Sequence, residues 1–489
     1  MPQATLAANI IKQYIPKVCK GEFAMETYTK KEKMRYLIGL SGQNILYGII
    51  TSSFAYYLQF TILVPAMWTG VILSVSRIFD AVKDPIIGAA INRNKYSFKQ
   101  YLLLMPLPTA VLTILCFCNG IYTPENSTVK NILIILSAFS FYILWEIVFS
   151  VGDIPLTAYP SVLTKNKEDS TRLLSLRPVG AIACSIIALI IQPIVFSLAH
   201  SFNGTVQENE RNSFLVTVTF FSLLGGTLFQ LTAIGSKQRV IIKSDTQKNQ
   251  LKYFVTNPLL RKITVSGILG SLKSITGIVL TPLVTYYFSG KNSALTLFYT
   301  ALLGAGSLVG LIIAMMTVPH LTKKHGTKKV YIYVNLLSVI PNVMLFVLYQ
   351  KYPHNMTDIP QTVIMFILTL IIGSCISISS TIQTLIISEA VDLEEKISGK
   401  RPAALFFSVQ TFLIKIGTGI SSLAASLCYT AIKFSSAEAE ALNAYIASGG
   451  TPRLDNKYST LMTALFFLYT VPVAASSLLC TLPFLEQKK

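Results

Sequence analysis

Long apolar stretches recur along this chain and fix what it can fold into. Twelve of them, at roughly residues 36–62, 64–91, 101–121, 131–161, 173–199, 213–235, 263–288, 294–319, 329–350, 359–391, 402–432 and 459–485, fill most of its 489 residues. At 1.5 Å per residue each is long enough to cross ~30 Å of hydrocarbon as a helix. Several exceed 25 residues, which predicts tilt or breaks. Only 13% of the chain is charged and 52% is hydrophobic, against about 25% charged in a typical soluble domain. The expectation is an all-α protein with twelve transmembrane helices.

A net charge of +19 would suggest a nucleic-acid partner in a soluble chain. Here the charge follows topology. With the first residues on the cytoplasmic side, 29 of the 41 Lys and Arg fall in inner segments, seven in outer ones and five inside the spans. That positive-inside bias places both termini in the cytoplasm and the chain in the cell membrane, with no nucleic-acid partner. Residues 1–34 lack a cleavable signal pattern and read as a cytoplasmic extension. Residues 10–18 within it could form an amphipathic tail. Seven scattered cysteines and four scattered histidines give no metal or redox motif, so no cofactor is expected. Asn126, Asn203 and Asn355 head Asn-x-Ser/Thr triplets in outer loops, at a frequency chance would produce.

The segment 236–262 is the longest polar inner connection, with seven Lys/Arg, and it divides the spans six and six. The boundaries that follow are an N-terminal half at 35–235, the linker at 236–262 and a C-terminal half at 263–489. Two six-helix halves joined by a basic cytoplasmic loop is the arrangement of the major facilitator fold. Short basic turns after spans 2 and 8, around Arg93 and Lys95 and around Lys323 and Lys329, echo one another at matching places.

The functional clue lies in span 2. Arg77, Asp80, Lys83 and Asp84 occupy eight residues of an apolar run. A charge at the bilayer centre costs at least ~2.5–3.5 kcal/mol, so such groups face a cavity or one another. Arg77, Asp80 and Asp84 fall at i, i+3 and i+7, on one helix face. On span 4, Glu146, Ser150, Asp153 and Thr157 form a polar stripe ahead of Pro155 and Pro160, where a bend would free carbonyls to line a cavity. Gln43 and Asn44 on span 1, Arg177 on span 5, Gln383 on span 10, and Thr411 with Lys415 on span 11 add polar groups at depth. Buried ion pairs seldom add net stability, so this many are better explained by a solute or ion path. Lys273, alone in span 7, has an equally good reading as a snorkelling or paired side chain.

Arg77, Asp80, Asp84, Pro85 and Gly88 in their order resemble the span-2 signature of the glycoside–pentoside–hexuronide:cation symporters, the family of melibiose permease. Trp145 with Asp153, Ile154 and Pro155, the Arg177 region, and Gly399, Lys400 and Arg401 followed by Phe406, Phe407, Ser408 and Lys415 resemble the same family in order. The resemblance covers nearly all of the chain after residue 34. It implies a cation site at Asp80 and Asp84 helped by the hydroxyls of Ser150 and Thr411. It also implies sugar contacts from Asp153 and Arg177, and a lysine between the two sites at Lys415. Four positions depart from the pattern. Asn44 stands for a third sugar-binding carboxylate, Thr157 and Ser380 for tryptophans, and Lys83 for an asparagine beside the cation site. The sugar and the cation therefore stay open. Lys83 either reaches the carboxylates as a tethered cation or turns away and snorkels.

The expected function is symport of a small glycoside or related sugar with Na⁺ or H⁺ by alternating access, in a chain that is a monomer and not an enzyme. No nucleophile–base pair, metal cluster or phosphate loop is visible. A carrier of a non-saccharide solute such as a lysolipid is the alternative. A non-transporting membrane sensor would instead show degenerate cavity charges.

Overall fold

The computed structural model describes residues 28–93, 97–118, 127–164, 167–174, 176–234, 257–399 and 403–485. Most of the 1–34 extension, most of the linker, Asn126, and Lys400 and Arg401 lie outside those residues. Among the described residues the regular structure is entirely helical.

The first half contains α1 (Lys30–Tyr56), α2 (Ala66–Arg93), α3 (Phe98–Leu104) running into α4 (Pro106–Cys116), α5 (Ser127–Leu163), α6 (Lys167–Leu174), α7 (Arg177–Ala199) and α8 (Val206–Gln230). The second half contains α9 (Pro258–Leu269), α10 (Ile275–Leu283), α11 (Ser293–His325), α12 (Thr327–Lys351), α13 (Ile359–Ser398), α14 (Ala403–Ala431), α15 (Ser436–Ala447) and α16 (Ser459–Leu479). Nine helical stretches among the described residues are long and apolar enough to cross a membrane, ten with the bent pair that includes α9. Helices α1 and α2 fall outside that count; α1 carries Gln43 and Asn44, and α2 carries Arg77, Asp80, Lys83 and Asp84. Large apolar side chains such as Ile86, Met315 and Met316 are exposed on the flanks, as a lipid-facing surface requires.

Local chemistry sets several boundaries. Thr29 and Glu32 form a capping box that starts α1. Pro155 and Pro160 sit inside α5, which continues through both rather than ending. The expected single span at 263–288 is broken: a 3₁₀ turn at Ser271–Ser274 joins α9 to α10 with a 48° bend. Both halves' first spans finish in a π turn, Tyr57–Thr61 and Val284–Ser289. Helix α15 lies between the apolar stretches at 402–432 and 459–485, and Ser435 and Glu438 form the capping box that starts it.

Close backbone approach needs glycine where α11 meets α13. A Cβ at Gly373 would lie 2.2 Å from the Gly306 carbonyl carbon, so both positions must stay small. The two halves meet along α2 and α14, where a Cβ on Gly70 would strike Ser426 at 2.4 Å. Ser74 Oγ donates to the Gly419 carbonyl at 2.7 Å in the same seam.

At the end of the bundle away from Lys30 and Phe484 the halves are latched. Lys291 Nζ pairs with Glu210 Oε2 at 2.5 Å, and Thr61 Oγ1 donates to Glu210 Oε1 at 2.6 Å. Lys291 follows Gly290, and both have left-handed backbones (φ 63° and 55°) that aim the ammonium across the seam. The Tyr56 and Tyr286 hydroxyls lie 3.3 Å apart. Tyr286 donates to Asn443 Oδ1, and Asn443 Nδ2 donates to the Phe60 carbonyl.

Candidate functional site

Helix α2 carries four charged side chains into the seam, and each finds a partner. Arg77 Nη1 lies 3.2 Å from Glu146 Oε1 on α5, with both side chains buried. The guanidinium also stands 5.6 Å and 5.9 Å from the ring centroids of Tyr47 and Tyr142. Aromatic faces stabilise a desolvated cation there.

Lys83 turns inward, and the snorkelling reading is corrected. Its side chain is 6% exposed. Nζ donates to Asp80 Oδ1, to Ser150 Oγ at 2.6 Å, to the Glu146 carbonyl at 2.8 Å and to Asp84 Oδ1 at 3.3 Å. The Asp80 spacing of i, i+3 puts both groups on one face, and α5 closes the seat from the other side. Ser150 Oγ also lies 3.2 Å from Asp80 Oδ1.

Lys415 arrives from α14 in the other half. Its Nζ sits 2.6 Å from Asp80 Oδ2 and also contacts Asp84 Oδ2. Two ammonium groups thus bracket two carboxylates, with Asp80 buried and the Asp84 side chain 23% exposed. One ionic cluster joins α2, α5 and α14.

Beside it runs a polar wall. Gln43 Nε2 donates to Asp153 Oδ1 at 3.0 Å, and Asn44 Nδ2 donates to Gln43 Oε1 at 2.8 Å. Arg177, exposed at the start of α7, donates to Thr157 Oγ1 at 3.4 Å. Asp153 stands one turn along α5 from Ser150, which Lys83 contacts, so wall and cluster adjoin. The wall offers a carboxylate, two amides, a hydroxyl and a guanidinium, a donor and acceptor set suited to hydroxyl groups.

Two candidates stand apart. Thr411 is exposed one turn from Lys415, and Gln383 is half-buried on α13. Among the described residues neither makes a hydrogen bond to the cluster or the wall.

Some contributions were not foreseen. Glu146, more readily taken as structural, lends its carbonyl to Lys83 and its carboxylate to Arg77. Gln43 rather than Asn44 reaches Asp153. Lys273 is neither snorkelling nor paired with an acid among the described residues: Nζ contacts Asn335 Oδ1, Cys480 Sγ at 3.2 Å and Ser379 Oγ at 3.5 Å. Among the described residues no cluster of three or more His, Cys, Asp and Glu could hold a metal ion.

Comparison with known proteins agrees with this architecture. The profile of a family described as "MFS/sugar transport protein" matches residues 35–483. The symporter YjmB of Bacillus subtilis is 27% identical over 405 residues, covering 80% of this chain and 81% of that protein. An isoprimeverose transporter of Lactiplantibacillus pentosus is 23% identical, covering 84% and 83%. A D-xylose-proton symporter crystal structure superposes with a TM-score of 0.62 at 11% identity, covering 89% of this chain and 97% of that one. That likeness establishes the fold alone. With twelve apolar segments in two halves and a charged site in the seam between them, the chain belongs to the MFS/sugar transport protein family, the melibiose-permease-like symporters of the major facilitator superfamily.

Proposed function

We propose that this protein is a cation-coupled symporter of a small glycoside or related saccharide, working by alternating access about the seam between its halves. One observation carries the reading. The hydroxyl-binding wall of Gln43, Asn44, Asp153, Thr157 and Arg177 adjoins the ionic cluster of Asp80, Asp84, Lys83 and Lys415. A solute held by Asp153 and Arg177 and an ion held near Asp80 and Asp84 would act on the same helices, so each favours the state the other binds. That is coupling as a linkage free energy between neighbouring sites. Relatives named as an isoprimeverose transporter, a putative glycoside/cation symporter and a putative sulfoquinovose importer support a carbohydrate-like solute.

The same reading assigns the state and orientation. The halves are latched at the Glu210–Lys291 end, opposite the side that bears Lys30. The excess of Lys and Arg on that side makes it cytoplasmic. The Glu210–Lys291 latch then closes the outer side, in the cell membrane.

Uptake into proteoliposomes of a panel of labelled mono- and disaccharides, under imposed Na⁺ or pH gradients, tests the function. Uptake of at least one saccharide, lost in Asp153→Asn and Arg177→Ala, is expected. Absence of saccharide uptake under every gradient, with a non-saccharide solute entering instead, would reject it.

A further inference from the structure

The seat of Lys83 is built like a cation site. Its ammonium draws on four oxygens from two helices: a carboxylate oxygen each from Asp80 and Asp84, the hydroxyl of Ser150 and the main-chain carbonyl of Glu146. Carboxylate, hydroxyl and carbonyl oxygens are also the donors that a hard monovalent ion such as Na⁺ or Li⁺ would draw on. All four belong to the N-terminal half, on α2 and α5, so the seat survives movement of one half against the other.

The other carboxylate oxygens are taken as well. Lys415 contacts Oδ2 of Asp80 and Oδ2 of Asp84. Each carboxylate thus gives one oxygen to each lysine. With every group ionised, Asp80, Asp84 and Glu146 balance Arg77, Lys83 and Lys415. With that balance, a metal ion would add an uncompensated charge to a site whose four carboxylate oxygens each already contact an ammonium. Burying an uncompensated charge is strongly unfavourable.

We infer that Lys83 is a tethered cation: its ammonium permanently holds the position that a coupling Na⁺ or Li⁺ would take, so neither of these is the coupling ion of this transporter. The inference rests on reading the Asp80 and Asp84 pair as the coupling site, and it narrows which ions that site admits. At contact distance two unit charges attract strongly even at an effective dielectric of 20. A group fixed to the chain also loses nothing to dilution, so a dissolved ion at millimolar concentration competes poorly for the same oxygens.

Thermal unfolding of the full-length protein, purified in detergent, tests this with the metal ion alone as probe. NaCl, LiCl and choline chloride are compared at equal ionic strength. The parent protein is expected to unfold at one temperature, within about 1 °C, in all three salts. Lys83→Asn, which empties the seat and leaves its oxygens, is expected to gain a saturable rise of about 2–5 °C specific to Na⁺ or Li⁺. A saturable Na⁺- or Li⁺-specific rise in the parent would overturn the inference. So would a monodisperse Lys83→Asn protein with no such gain. If Lys83→Asn cannot be purified folded, Lys83→Gln carries the same expectations, and the parent measurement stands by itself. No solute is involved, so a failed saccharide panel and a failed ion experiment are separate results.

Discussion

Each half of the molecule carries a lysine into the apolar layer on its own helices, and the two are accommodated in opposite ways. Lys83 is surrounded by anionic and dipolar oxygens of α2 and α5 beside the seam. Lys273, on the 3₁₀ turn between α9 and α10, lies among neutral groups of the C-terminal half: Asn335, Ser379 and Cys480. Neither set of contacts crosses between halves. Lys415 differs from both, because its two carboxylate partners lie on the other half. A motion that separates α14 from α2 leaves Lys83 and Lys273 undisturbed and must break the contacts of Lys415. Charge buried within one half shapes a site, whereas charge shared across the seam reports and biases the state.

That contrast can be broken at several points. The largest effect belongs to Asp80→Asn, which removes the shared carboxylate and leaves Lys83 and Lys415 with one acid between them. Breaking a buried pair costs about 3–5 kcal/mol, so at least a hundredfold loss of saccharide uptake in proteoliposomes is expected, and uptake within threefold of the parent would refute it. Next is Lys415→Met, which frees the seam. Uptake should fall about tenfold, while the parent's indifference to Na⁺ in thermal unfolding persists, because Lys83 keeps its seat. A new Na⁺ response there would show that Lys415, not Lys83, keeps the ion out.

Lys291→Ala acts at the far latch, where it strands the buried Glu210. It should raise the labelling rate of a Gln59→Cys probe, on a cysteine-free background, several-fold with a membrane-impermeant maleimide. An unchanged rate would mean that the ion pair does not hold this end shut. Smallest is Lys273→Met, expected to keep uptake within about threefold because its partners are neutral and lie in one half. A loss as large as that of Asp80→Asn would erase the distinction between the two lysines.

Much of this was legible in the chain. Twelve apolar stretches gave the spans, and the i, i+3, i+7 pattern of Arg77, Asp80 and Asp84 gave the face that meets the seam. The orientation of Lys83 was half legible: its spacing from Asp80 allowed contact, but the Glu146 carbonyl and Ser150 that complete its seat come from more than sixty residues away. Glu210 and Lys291, 81 positions apart, leave no local signal at all. Ser435 and Glu438 did announce α15 by their capping spacing, and with it Asn443, whose amide joins Phe60 to Tyr286. Thr411 and Gln383 show the converse. Both were read as polar groups at membrane depth, Thr411 by resemblance as well, yet among the described residues neither hydrogen-bonds to the cluster or the wall.

The balance of three acids against three bases in the cluster has an electrical consequence. Moving one elementary charge through the membrane field is worth ~2.3 kcal/mol per 100 mV. A carrier whose vacant binding site bore a net negative charge would feel that field each time it returned. With Lys83 in its seat and every group of the cluster ionised, the vacant site is neutral; its return would then be electrically silent, and the membrane potential would act on the charge that the transported species bring with them.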